Sequence, residues 1–206
     1  MNAGDERANG GITGVILAGG RSRRMGGTDK GLIELAGWPM VAHVATRLRP
    51  QVDELVINAN RNAAAYAEHA DRIVADTLEG FLGPLAGVLA GMSAAHGDRV
   101  VTAPCDSPFV PPDLVGRLCT GAEANRAEIA VAHDGERQQP VFLLAATALG
   151  PALAEWLHGG GRKIDAWFAG HRVANVDFSD CPEAFLNINT AEDRARIEVR
   201  LQESSQ

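Results

Sequence analysis

Cysteine is sparse in this chain. Only Cys105, Cys119 and Cys181 occur among 206 residues. They are odd in number and show no Cys-x-x-Cys spacing, so neither a disulfide framework nor a zinc site is indicated. A reducing, cytoplasmic location is the expectation. No apolar run approaches the roughly 18 residues of a membrane-spanning helix. The start, Met1–Gly11, is polar and glycine-rich and lacks the apolar core of a secretory signal, so it reads as a flexible tail. Positive charge is also in deficit: 19 Lys and Arg stand against 26 Asp and Glu, giving a net charge of −7. A general nucleic-acid binder needs a basic face, so neither a nucleic acid nor a membrane is expected as a partner. What remains is a globular balance, 46% apolar and 22% charged. The length is ordinary for one domain and sufficient for a substantial core.

Against that acidic background, one stretch reverses sign. The apolar run Val15-Ile16-Leu17 opens into Ala18-Gly19-Gly20-Arg21-Ser22-Arg23-Arg24-Met25-Gly26-Gly27-Thr28-Asp29-Lys30-Gly31. Glycine lets backbone N–H groups press against phosphate oxygens. Arg21, Arg23, Arg24 and Lys30 add charge for an anionic ligand. The stretch is not a Walker A loop, because no Gly-Lys pair is followed by Ser or Thr. Nor is it a dinucleotide fingerprint, because Gly19-Gly20 is followed by Arg21-Ser22.

The rest of the first half alternates strand and helix. Val15–Ala18, Leu55–Ile57, Ile73–Ala75 and Val100–Ala103 are short apolar runs suited to strands covered on both faces. Val41, Val44, Ala45 and Leu48 follow Pro39 at helical spacing, and Leu85, Val88, Leu89 and Met92 repeat it after Gly83-Pro84. The second half is less regular. Ile129–Ala132 and Val141–Leu144 read as strands around the polar turn His133–Gln139, with helices near Ala148–Leu157 and Ile164–Phe168 and a strand near Arg172–Val176. Thr190-Ala-Glu-Asp193 is a capping-box variant that opens a last helix. The expected architecture is one α/β domain over residues 12–206, a mostly parallel sheet with helices on both faces.

Ligands of such sheets sit beyond the C-terminal strand ends. The first strand ends in the glycine-arginine loop, the second in Asn58-Ala59-Asn60, the third in Asp76 and the fourth in Pro104-Cys105-Asp106. Asp106 is suited to Mg2+, which takes hard oxygen ligands and keeps waters and substrate phosphates in its other positions.

Taken together, these segments resemble the molybdenum cofactor guanylyltransferases, the MobA family. The resemblance rests on the first loop and on Val56–Arg61, Gly83–Gly87, Pro104–Pro108, Val110–Leu114, His133–Arg137 and Asn187–Thr190, in the family's order. It spans nearly everything from Ile12 to about Arg194. It implies a Rossmann-like nucleotidyltransferase fold and a reaction of GTP with molybdenum-bound molybdopterin, giving the guanine dinucleotide cofactor and pyrophosphate. GTP would be bound by Leu17, Ala18, Gly19, Lys30, Asn58, Asp76 and Asp106, with Mg2+ on Asp106.

Lys30, Arg24 and Asp106 are the residues expected to act on the phosphates. Asp76, Asn58 and the Leu17 carbonyl are all candidates to accept from the guanine edge. Related cytidylyltransferases carry Leu-Ala-Ala-Gly where this chain has Leu17-Ala18-Gly19-Gly20, so Gly19 favours GTP. A cytidylyltransferase, another NTP-dependent nucleotidyltransferase and an idle nucleotide- or cofactor-binding carrier module are the alternatives. Arg162, Lys163, Asn187 and Asn189 are the candidates for the pterin. Delivery of the product would imply contact with cofactor-insertion proteins and apo-molybdoenzymes.

Overall fold

The computed structural model describes residues 10–20, 29–78, 80 and 83–203. The expected tail, apart from Gly10 and Gly11, and the arginines Arg21, Arg23 and Arg24 lie outside the described residues. In chain order the elements are β1 (Ile12–Leu17), β2 (Glu34–Leu35), β3 (Trp38–Pro39), α1 (Met40–Leu48), β4 (Glu54–Asn58), α2 (Ala63–Tyr66) and β5 (Arg72–Val74). They continue as α3 (Pro84–Ala94), β6 (Arg99–Pro104), α4 (Leu114–Ala124), β7 (Ile129–His133), β8 (Gln138–Ala146), α5 (Gly150–His158), α6 (Ile164–Phe168), β9 (Val173–Asp177) and α7 (Ala191–Glu203).

Seven strands form one sheet in the order β5-β4-β1-β6-β8-β7-β9. β1 runs parallel to β4 and β6, and β4 parallel to β5. β8 is antiparallel to both its neighbours, which returns β7 and β9 to the common direction. The mostly parallel sheet expected from the alternation is therefore present, with β8 reversed.

Adjacent residues of each strand feed opposite layers, as the two-residue period demands. Ile16, Val101, Ala130 and Phe142 point to the layer built with Val41, Val44 and Leu48 of α1 and Leu114 and Leu118 of α4. Val15, Val100, Ile129 and Leu143 point to the opposite layer, with Leu85, Val88 and Met92 of α3, Leu153 and Leu157 of α5 and Trp167 of α6. Each fully buried Leu, Ile or Val contributes about 1.5–3 kcal/mol of hydrophobic stabilisation.

A third, smaller cluster joins Leu35 of the hairpin and Met40 of α1 to Ile188 and to Ile197 of α7. It fixes the C-terminal segment beside the sheet edge. The opening of α7 has the anticipated reciprocal cap: Asp193 N–H donates to Thr190 Oγ1 at 3.0 Å, and Thr190 N–H donates to Asp193 Oδ2 at 3.1 Å.

Three features depart from the sequence reading. β2 and β3 form a hairpin around Ala36 and Gly37, both at positive φ. α4 occupies a stretch to which the apolar periodicity assigned nothing. β8 begins at Gln138 rather than Val141, because Gln138 and Gln139 pair with His133 and Ala132 across the turn.

Candidate active site

The parallel strands β1, β4, β5 and β6 present their C-terminal ends along one edge, and the backbone ladder continues just past them. Ala18 N–H donates to the Asn58 carbonyl at 2.8 Å, Ala59 N–H to that of Val74 at 2.8 Å, and Cys105 N–H to that of Leu17 at 3.1 Å. The Leu17 carbonyl, one of the candidates for base recognition, thus already serves one N–H in this ladder.

Two polar clusters occupy the edge. The first lies after β6. Lys30 Nζ donates to Asp106 Oδ2 in a close ion pair and to Asn189 Oδ1 at 2.8 Å. Beside it the Ser107 hydroxyl, fully buried, donates to Asn187 Oδ1 at 2.6 Å. Ile188, between the two asparagines, is buried in the small hydrophobic cluster, and its N–H donates to the Asp106 carbonyl at 3.0 Å. Ile188 is buried while the asparagines on either side of it reach Ser107 and Lys30. Residues about 80 and 160 positions apart in sequence are joined this way.

The second cluster lies after β4 and β5. Asn58 Nδ2 donates to Asp76 Oδ1 at 3.0 Å, and Asn60 Nδ2 donates to Asp76 Oδ2 at 2.8 Å. Asp76 N–H returns a bond to Asn60 Oδ1 at 2.8 Å. Asn58 is only 2% exposed, so its side chain supports the site from beneath. Space for it depends on missing Cβ atoms. A Cβ at Gly87, in the first turn of α3, would collide with Asn58 Oδ1 and lie 2.7 Å from Leu17 Cδ2. A Cβ at Gly19 would stand 3.0 Å from both Asn58 Oδ1 and Asn60 Nδ2. Gly19 therefore matters through the two carboxamides pressed against it as well as through its backbone.

A buried support lies just before Lys30. Asp29, 6% exposed, accepts from the Tyr66 hydroxyl at 2.5 Å and from Asn62 Nδ2 at 3.2 Å. Burial first, and the bond to Asp29 second, push the Tyr66 hydroxyl far above the usual phenol range. Tyr66 is thus held as a neutral donor that fixes the end of the glycine-arginine loop.

Among the expected residues, Lys30, Asp106 and Asn189 come together directly, with Asn187 alongside, and Asn58 meets Asp76. Arg24 lies outside the described residues. Arg162 and Lys163 make local contacts: the Arg162 guanidinium donates to the Leu157 and Gly161 carbonyls at 2.7 and 2.5 Å, and Lys163 precedes α6 as its N-cap. Asp29 and Tyr66 escape sequence reasoning, because nothing local in a polar loop marks a carboxylate for burial. Asn60 is visible at a strand end, but its bond to Asp76 is not.

A parallel sheet with a glycine loop after its first strand, and carboxylate, carboxamide and ammonium groups at the neighbouring strand ends, defines a nucleotide-handling α/β domain. Comparison with known proteins gives the class: a family model described as a MobA-like NTP transferase domain matches residues 14–174. A curated relative from Shewanella sp. (strain ANA-3), a molybdenum cofactor guanylyltransferase, is 49% identical over 193 residues, covering 94% of this chain and 98% of the relative. Molybdopterin-guanine dinucleotide biosynthesis protein A from Archaeoglobus fulgidus shares the fold, with a TM-score of 0.78 at 22% identity, over 93% of this chain and 99% of that one. A Mycobacterium tuberculosis protein solved as a complex with manganese has a TM-score of 0.65 at 21% identity, over 91% of this chain and 97% of that one. The chain belongs to the molybdenum cofactor guanylyltransferase family, and is a nucleotidyltransferase.

Proposed function

We propose that this enzyme transfers GMP from GTP to the terminal phosphate of molybdenum-bound molybdopterin and releases pyrophosphate. The observation that carries the reading is the convergence of Lys30, Asp106 and Asn189 at the end of β6, on the same sheet edge as the Asn58–Asn60–Asp76 cluster.

The chemistry asks little covalent work of the protein. The attacking phosphate is already an anion, so positioning and charge neutralisation dominate. Lys30 starts paired with Asp106 and steadied by Asn189. As the triphosphate enters, the ammonium exchanges the carboxylate for phosphate oxygens and meets the charge that builds at the α-phosphate. Asn189 limits how far Nζ travels. The Gly19–Gly20 backbone, with Arg24, takes the leaving pyrophosphate. Asp76 and its two carboxamide partners hold the base.

Among the described residues no group of three or more His, Cys, Asp or Glu converges to cage a metal. A divalent cation that arrives with a triphosphate needs less, one or two carboxylates completed by phosphates and water, and Asp106 fits that requirement. We assign Mg2+ to Asp106; when bound it would supply Lewis-acid stabilisation of the phosphate oxygens. The thiols Cys105, Cys119 and Cys181 are all free, and a cytoplasmic location belongs to this proposal. No helix among the described residues is long and apolar enough to cross a membrane. Cofactor-insertion proteins and apo-molybdoenzymes complete the reading as recipients of the product.

The test is pyrophosphate release from each NTP in the presence of molybdenum-bound molybdopterin and Mg2+. GTP should support turnover and CTP should not; turnover with CTP alone would overturn the assignment, and a carrier would release no pyrophosphate with any NTP. Asp106→Ala should abolish metal-dependent turnover while the chain stays folded, because this carboxylate stands at a strand end outside the core.

A further inference from the structure

Asp76 is placed where its backbone alone restrains it poorly. It follows β5, a three-residue strand at the sheet edge that pairs only with β4. A carboxylate carried there would turn freely unless something else held it. Asn60 does so through a closed ring, in which its Nδ2 donates to Asp76 Oδ2 while its Oδ1 accepts from the Asp76 N–H, each at 2.8 Å. The Asn60 amide also reaches the Gly19 carbonyl at 3.4 Å, which ties this ring to the start of the phosphate loop. Asn58 holds the other oxygen from below.

We propose that Asn60 is a positioning residue for base selection: by clamping Asp76 it presents one unshared lone pair on each carboxylate oxygen as a paired acceptor for the two N–H donors of a guanine edge. The inference rests on the proposed GTP reading and deepens it. A carboxylate has about four lone-pair sites, and the two carboxamides occupy one on each oxygen. Among the described residues, what is left is an acceptor pair of fixed spacing. Guanine answers it with N1–H and the 2-amino group. Hypoxanthine has only the first of these donors. Adenine and cytosine turn a ring-nitrogen lone pair toward the carboxylate and are repelled. Fixed polar groups discriminate strongly because a mismatched base leaves them unpaired.

Wild-type protein and Asn60→Ala are compared by calorimetric binding of GTP and of ITP with Mg2+, and by steady-state pyrophosphate release. Wild type should bind GTP about tenfold more tightly than ITP. The variant should lose about tenfold in GTP affinity but no more than about threefold for ITP, because only GTP uses both acceptors. Its KM for GTP should rise while kcat stays within about twofold. Asn60→Asp keeps the acceptor for the Asp76 N–H but sets a negative charge against Oδ2, and should erase the preference for GTP as well. Equal binding of GTP and ITP by wild type, which needs no variant, overturns the proposal. So does an equal loss for the two nucleotides in either variant, the mark of a merely structural role. Wild type that prefers GTP over ITP but releases no pyrophosphate would sink the transferase reading and leave this one standing.

Discussion

The chain has a single tyrosine, so alkaline titration of the folded protein isolates one hydroxyl. Tyr66 is fully buried and donates to Asp29 Oδ1 at 2.5 Å, with Asp29 itself 6% exposed. Losing that proton would set a phenolate against a carboxylate in a space closed to water, and the hydroxyl accordingly titrates far above its ordinary value. The unfolded chain loses the proton near pH 10.0. Above that pH the unfolded state binds fewer protons than the folded state, so this group's contribution to stability falls as pH rises, by about 1.4 kcal/mol per pH unit at most. Below that pH the contribution is fully present. Two measurements follow. The ultraviolet difference band of tyrosinate should be absent from native protein stepped from about pH 9 to about pH 11 and should emerge only with unfolding. Denaturant titrations of wild type and Tyr66→Phe should diverge above about pH 10, the difference in slope approaching about 1.4 kcal/mol per pH unit by about pH 11, with the buried thiol of Cys105, also raised by burial, contributing equally to both. At neutral pH the variant loses a hydrogen bond to a buried charge, about 1.5–3 kcal/mol. In a chain of this length that lowers Tm by roughly 3–12 °C. A tyrosinate band in folded protein near pH 10, or coincident alkaline slopes, would refute the reasoning.

Three further outcomes are expected. Gly87→Ala should cost about 1–3 kcal/mol by overpacking and weaken GTP binding as Asn58 is displaced, whereas Gly116→Ala, where a Cβ meets nothing within 4 Å, should leave binding unchanged; calorimetry reads both. Lys30→Ala should lower kcat by about a hundredfold or more with Tm changed by only a few degrees; full turnover with a lowered Tm would make the lysine structural. Arg162→Ala should cost about 1 kcal/mol through lost carbonyl capping at the end of α5, with KM for the pterin unmoved; a KM raised several-fold would give the guanidinium a ligand role.

How far a sequence discloses this fold depends on whether the governing contacts are local. β1, β4, β5 and β6 are legible because strands covered on both faces read as short apolar runs, and the first polar residue beyond each marks its end. That rule alone places Asn58, Asp76 and Asp106 at the ends of β4, β5 and β6. The β2–β3 hairpin gives no such signal: its strands are two residues long, and its turn puts Ala36, a poor marker of left-handed backbone, at φ 50°. α4 is hidden by Gly116 and Gly121 among its residues, glycines that oppose helix in isolation. Gly121 is tolerated because the helix packs closely on β9, where a Cβ would strike Val176. Asp29 illustrates the same limit within the site. Its carboxylate becomes a buried anchor only because Tyr66, 37 positions later, reaches back to it.

The two halves of the site use one local device twice. Asn58-Ala59-Asn60 and Asn187-Ile188-Asn189 each place a buried apolar residue between two asparagines, with Ala59 at 4% and Ile188 at 0% exposure. In each the central residue goes to the core while the flanking pair turns to polar partners. One pair then grips the Asp76 carboxylate, and the other meets Ser107 and Lys30. Carboxamides suit this work because they orient charged groups without adding charge of their own. On the proposed reading, an acidic side chain in place of Asn189 would compete with the triphosphate for Lys30, and a basic one in place of Asn60 would neutralise the acceptor pair proposed for the base. In both places neutral donors and acceptors orient a charged group, Asp76 in one and Lys30 in the other.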